Sequence, residues 1–91
     1  MSAWVYILRC CDNRLYVGST TDLIRRLADH GRGRVYSTSR RLPVRLVYFE
    51  EHATPDQARQ RERSLKNGRT RRKAIDLLIA NFPSDGLAAF A

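Results

Sequence analysis

A-W-V-Y-I-L-R-C-C-D-N-R-L-Y-V-G-S-T, residues 3 to 20, reads as two strands around a tight reversal. Residues 3 to 9 are rich in aromatic and β-branched types, Asp12-Asn13 supplies turn chemistry, and L-Y-V-G-S-T forms the second strand. Side chains alternate across a strand, so Tyr6 shares a face with Trp4 and Leu8, while Val5 and Ile7 take the other. On the second strand Tyr16 shares its face with Gly18, opposite Leu15 and Val17. Gly18 then leaves space beside Tyr16 that another backbone could enter. Ordinary strand packing accounts for either tyrosine taken singly.

The hairpin leads into a helix, D-L-I-R-R-L-A-D-H. Thr20 or Thr21 is the expected cap, Asp22 lies in the first turn, and Gly31 and Gly33 follow the end. Leu23, Ile24, Leu27 and Ala28 make an apolar stripe. Asp22, Arg26 and His30 are spaced four apart and so border that stripe together. From there an arginine can lay its stem on the sheet and bring its head to a cleft. A surface pair between Asp22 and Arg26, worth little, fits the spacing equally well.

Residues 31 to 44, G-R-G-R-V-Y-S-T-S-R-R-L-P-V, read as a loop. Arg32, Arg34, Arg40 and Arg41, with the hydroxyl residues, suit contacts to phosphates, and Tyr36 could stack on a base. A solvated linker is the competing reading. R-L-V-Y-F-E-E-H, 45 to 52, is a third strand whose continuous apolar centre predicts a central position in the sheet. Thr54-Pro55-Asp56-Gln57 opens a helix over 55 to 66 with a capping box. Ala58 and Leu65 must seat that helix, with Glu62 between them on the same stripe. A carboxylate there needs a cation, either a salt-bridge partner or a metal. Lys66 and Arg69 add outward cations. Thr70 is expected to cap a last helix, and Arg71, Arg72 and Lys73 open it, an arrangement that a bound phosphate would relieve. Ala74, Ile75, Leu78, Ile79 and Phe82 form its apolar face, and Pro83 ends it.

The order is β-β-α-β-α-α, which predicts an α+β fold: a three-stranded, mainly antiparallel sheet flanked by helices. A chain of 91 residues fits one domain over 1–83, with a C-terminal tail over 84–91 in which Leu87 and Phe90 could tuck back. Seventeen Lys and Arg against nine acids give a net charge of +8, which predicts attraction to polyanions. No apolar run is long enough to span a membrane, and the first residues lack the basic start of a signal peptide. A cytoplasmic protein is expected, monomeric or weakly dimeric. The adjacent Cys10 and Cys11 suit neither a relaxed disulfide between them nor zinc spacing.

Two hairpin tyrosines, Y-V-G around the second, an arginine and a histidine on the next helix and a glutamate on a later one resemble the GIY-YIG nuclease family. The similarity is to its small single-domain bacterial stand-alone branch. Position by position, Tyr6 and Tyr16 match the motif tyrosines, Arg26 and His30 the helix pair, and Glu62 the metal-binding glutamate. Trp4 stands where many members open the first motif with glycine, and Ser19 where some carry a lysine.

The resemblance implies an endonuclease that hydrolyses phosphodiester bonds by a one-metal mechanism, with DNA favoured over RNA. Tyr6, Tyr16, Arg26, His30 and Glu62 would be catalytic, with Glu62 holding one Mg²⁺ or Mn²⁺. Arg26 would stabilise developing charge, and Tyr6 would orient or deprotonate the attacking water. Arg26 and the metal should lower the Tyr6 pKa, so cleavage should be faster at about pH 9 than at about pH 7. Gly18, Arg32, Arg34, Tyr36, Arg40, Arg41, Lys66, Arg69, Arg71, Arg72 and Lys73 are the candidate nucleic-acid contacts. The alternatives are a nucleic-acid-binding accessory module without chemistry, or a structural subunit pairing through its sheet edge.

Overall fold

A computed structural model describes residues 2–67 and 71–82. Its elements are β1 (Ala3–Arg9), β2 (Leu15–Thr20), α1 (Leu23–Gly31), β3 (Arg45–His52), α2 (Pro55–Lys66) and α3 (Arg71–Asn81), the order expected from the sequence. β1 pairs antiparallel with both other strands, so the sheet order is β2-β1-β3. The fold is α+β.

β3 therefore lies at an edge, not at the centre that its apolar run suggested. β1 takes the centre: Ala3, Val5, Tyr6, Ile7 and Leu8 are each at most 1% exposed. Phe82, just past α3, explains the apolar run on β3. Its ring meets Tyr48 at 5.2 Å and Phe49 at 5.1 Å, both edge-on. Neighbouring strand residues point to opposite faces, so a ring reaching both must wrap the sheet edge.

The two faces divide as the alternation requires. Val5, Ile7, Val17 and Val47 pack with Ala58 and Leu65 of α2 and Ile75 of α3. Tyr6 and Leu8 pack with Leu23 of α1, flanked by Trp4, Tyr16 and Leu27. Only Ala58 and Leu65 of α2 are buried, so its capping matters. Thr54 Oγ1 accepts from the Gln57 backbone N–H at 3.2 Å, and Gln57 Oε1 accepts from that of Ala53 at 3.2 Å. In α3, Leu78 and Ile79 join Ile75 against the core, whereas Ala74 is exposed.

Helix α1 departs from expectation at two points. Its cap is Asp22, whose carboxylate accepts from the Arg25 N–H at 3.2 Å. A carboxylate in that place meets both the orphan donors and the positive end of the helix, so it displaces the threonines. Ile24 is 70% exposed and Ala28 is also exposed, while His30 is fully buried beside Leu23. The helix turns its imidazole inward because both ring nitrogens find partners there.

The stretch 31–44 is not a solvated linker. Gly33 takes φ +73, the left-handed conformation that glycine tolerates, and Val35 and Thr38 are buried. Cys10 is buried, Cys11 is exposed, and both are free thiols. Among the described residues no helix is long and apolar enough to cross a membrane. Gly68, Arg69, Thr70, Pro83 and the tail over 84–91 lie outside the described residues.

Candidate active site

Strand β1 carries Tyr6 opposite Gly18 of β2. A Cβ at position 18 would stand 2.6 Å from Tyr6 Oη and 3.0 Å from Tyr16 Cε1. The space that Gly18 leaves is thus filled by the Tyr6 phenol and is not open to a substrate backbone. Tyr6 Oη lies 2.8 Å from His30 Nε2 and accepts from Arg26 Nε–H at 3.4 Å. Tyr16 closes the cluster, its ring centroid 6.2 Å from that of Tyr6 and 5.0 Å from that of His30. Arg26 turns to this cluster and away from the surface pair with Asp22 that the spacing also allowed.

Behind the imidazole, His30 Nδ1 is 2.7 Å from Thr38 Oγ1, and Thr38 is fully buried. Burial drives the His30 pKa down to about 4, with the nearby Arg26 charge adding to the effect. The imidazole is neutral and carries one proton. With Arg26 already donating to the phenol oxygen, the phenol hydrogen is directed to Nε2 and the ring proton to Thr38. Burial also pushes the Tyr6 pKa up to about 12 and outweighs the hydrogen bond from Arg26. The expected lowering by Arg26 is therefore reversed, since taking the phenolate out of water costs more than one guanidinium returns.

Glu62 comes from α2, which packs on the opposite face of the sheet, and is linked to the cluster through Lys66, which reaches the Tyr16 ring. Ser19 Oγ donates to Glu62 Oε1 at 2.6 Å, and Lys66 Nζ donates to Oε2 at 2.6 Å. The same ammonium stands 5.9 Å over the Tyr16 ring, within cation–π range. Burial is the largest influence on the Glu62 carboxyl and raises its pKa, but the bonds from Lys66 and Ser19 together hold it below the usual range. It is an anion at neutral pH. Glu62 sits at the border of the helix stripe, half-buried, not within the core.

Among the described residues no group of three or more His, Cys, Asp or Glu could hold an ion. One carboxylate beside a hydroxyl still suits a hard cation that keeps most of its waters and completes its shell from a phosphate. Lys66 occupies the counter-cation position on an exposed, flexible stem. The donor set fits Mg²⁺ or Mn²⁺, and it does not fit zinc.

Of the expected nucleic-acid contacts, Tyr36 is 94% exposed, and Arg32, Arg40 and Lys73 are exposed. Arg34 pairs with Asp29 at 3.9 Å and Arg41 with Asp12 at 3.6 Å. Arg71 donates to the Lys66 carbonyl at 2.7 Å, and Arg72 pairs with Asp76 at 3.2 Å. Two contributors escaped the sequence reading. Thr38 is one hydroxyl among several in a loop, eight residues from the imidazole it touches, and no local pattern marks it. Ser19 stood out only as a departure from a motif.

Residues 2–74 match the GIY-YIG catalytic domain. The UPF0213 protein SpyM50708 of Streptococcus pyogenes serotype M5 is 43% identical over 75 residues, covering 80% of each chain. A counterpart from serotype M3, SpyM3_1077, matches to the same extent. The solution structure of the UPF0213 protein BH0048 from Bacillus halodurans is similar with a TM-score of 0.56 at 34% identity, over 86% of this chain and 85% of that one. By sequence and by fold, this chain belongs to the GIY-YIG catalytic domain family.

Proposed function

We propose that the chain is a divalent-metal-dependent endonuclease that hydrolyses phosphodiester bonds in nucleic acid, with DNA the favoured substrate. The observation that carries this reading is the meeting at the β2 edge. Arg26 of α1 donates to the Tyr6 phenol beside Tyr16, and Lys66 of α2, bonded to Glu62, reaches over the Tyr16 ring from the other face of the sheet. A guanidinium, a half-buried phenol and a carboxylate–cation pair are groups that an in-line displacement at phosphorus can use.

Glu62, with Ser19 beside it, would hold one Mg²⁺ or Mn²⁺, which when bound supplies Lewis-acid polarisation of the phosphate. Arg26 stabilises charge on the phosphoryl oxygens. Tyr6 is fully buried with its pKa near 12, so it stays a neutral phenol that positions Arg26. Tyr16 is only half-buried, and it takes the orienting role first expected of Tyr6, holding the attacking water by a hydrogen bond. His30 fixes the direction of the Tyr6 hydrogen bond. Lys66, released from Glu62, remains beside the scissile group as a phosphate contact. The cations around the loop and on α3 favour a polyanionic substrate.

The test is a panel of plasmids and single- and double-stranded oligonucleotides incubated with Mg²⁺ or Mn²⁺. Products that require the ion, vanish with Glu62→Gln and leave binding intact support the enzyme. Binding without products from the wild-type protein under every condition supports the non-catalytic accessory module instead.

A further inference from the structure

Tyr16 and Lys66 also belong to the wall of a groove of about 340 Å³ over the free edge of β2. Its floor is aliphatic, made by Leu15 and Val17 with Leu65 and Ile75 from the two helices below. Its exposed lining is cationic, with Arg71 and Arg72 joining Lys66 and the Ser37 hydroxyl; Lys66 pairs with Glu62 and Arg72 with Asp76, outside the groove. No carboxylate lines the groove among the described residues. A second recess, bounded by Ser19, Thr20, Thr21, Arg26 and Arg59, has Ala3, Pro55 and Ala58 as its apolar lining.

An apolar floor inside a cationic rim is a poor match for a bare phosphate, which gains nothing from aliphatic carbon, and for an apolar peptide, which gains nothing from three cations. It matches a nucleotide, whose base has apolar faces and whose flanking phosphates are anionic. The volume is at the small end for ligand sites, enough for one base and too small for a stacked run. A paired base must leave its stack to reach such a floor, which costs a few kcal/mol that an unpaired base avoids. The second recess offers hydroxyls and guanidiniums to the backbone, over a floor of only small side chains, Ala3, Pro55 and Ala58.

We propose that this groove takes one unstacked base next to the cleaved bond, and that the preferred strand is accordingly unpaired or frayed. The inference rests on the phosphodiester-cleaving reading for the position of the bond, but it is tested by binding alone. In EDTA, where metal-dependent hydrolysis is off, single strands of equal length with and without bases are titrated against the full chain at one salt concentration. Equal charge removes the phosphate contribution from the ratio of affinities.

The base-bearing strand is expected to bind about tenfold tighter. Ser37→Leu, which blocks the mouth from an exposed position, and Leu15→Gln, which makes the floor polar, should each bring the ratio near one. Tyr36→Ala should leave it unchanged, since that ring lies outside the groove. A ratio near one in the wild-type protein, a ratio indifferent to both groove variants, or one removed by Tyr36→Ala overturns the proposal. A groove-dependent ratio in a protein that yields no product with Mg²⁺ or Mn²⁺ supports the base site while refuting cleavage. Metal-dependent cleavage with a ratio near one does the reverse.

Discussion

Two half-buried glutamates stand at opposite edges of the sheet, and they are held in different ways. Glu50, on β3, accepts from Tyr48 Oη at 2.6 Å, lies 2.5 Å from His52 Nε2 and accepts from Arg61 Nε at 3.2 and 3.3 Å. Three neighbours take up both of its oxygens. Glu62 has the Ser19 hydroxyl and one lysine whose side chain is 44% exposed. For both, burial raises the pKa and hydrogen bonds more than reverse it, so both are anions at neutral pH. Charge does not distinguish them. What differs is the number of partners: Glu50 is held by three side chains, while Glu62 has a hydroxyl and one lysine, which on the proposed reading would give way to an ion from solution.

Substitution at the two positions should separate these roles most widely. Glu62→Gln should lower cleavage by about 10²–10³-fold, the scale for losing a charge-stabilising element, with little change in urea stability. Glu50→Gln should leave cleavage within a few-fold and cost about 1–3 kcal/mol in urea unfolding, because it strips charge from bonds that Arg61 and His52 still need. Equal losses of activity in the two variants would break the distinction.

A smaller effect concerns the buried side of the site. Ala at Gly18 would bring a methyl to 2.6 Å from Tyr6 Oη. Gly18→Ala should therefore displace the phenol at a cost of about 1–3 kcal/mol, read by urea unfolding, and lower cleavage with it. Acid should act through His30, whose folded pKa near 4 lies below its unfolded value of about 6.5. A group depressed in this way contributes stability that is complete above about pH 6.5 and lost as pH falls towards about 4. The loss is about 3 kcal/mol over that window, measurable as a falling urea midpoint. His30→Gln should flatten the profile there.

Smallest of all, Lys66→Ala removes the resident counter-cation of Glu62. Mn²⁺ affinity should rise a few-fold, on the scale of an exposed pair worth about 1 kcal/mol or less. Unchanged or weaker Mn²⁺ binding would mean that the lysine does not compete for the carboxylate.

Local periodicity carried most of the fold. The hairpin faces, the seating of α2 by Ala58 and Leu65 and its capping box all follow from spacing along a single element. The central place assigned to β3 failed because its apolar run answers to Phe82, a contact across more than thirty positions. The clustering of Tyr6, Tyr16, Arg26 and His30 was legible because these motif residues sit on regular elements. Thr38 was not, because a loop hydroxyl has no period. The direction of the Tyr6 shift was not either, because it depends on burial that composition does not reveal. Spacing alone also could not rank Glu62 above Glu50, since the difference lies in how many side chains hold each carboxylate.

The account stands or falls most directly on Mn²⁺ binding, followed by loss of the free-ion paramagnetic resonance signal as protein is added with a non-hydrolysable phosphodiester strand. The expected result is one ion per chain in the wild-type protein and in Glu50→Gln, and none in Glu62→Gln. An ion retained by Glu62→Gln, or lost from Glu50→Gln, would contradict the assignment of the metal to the edge of β2.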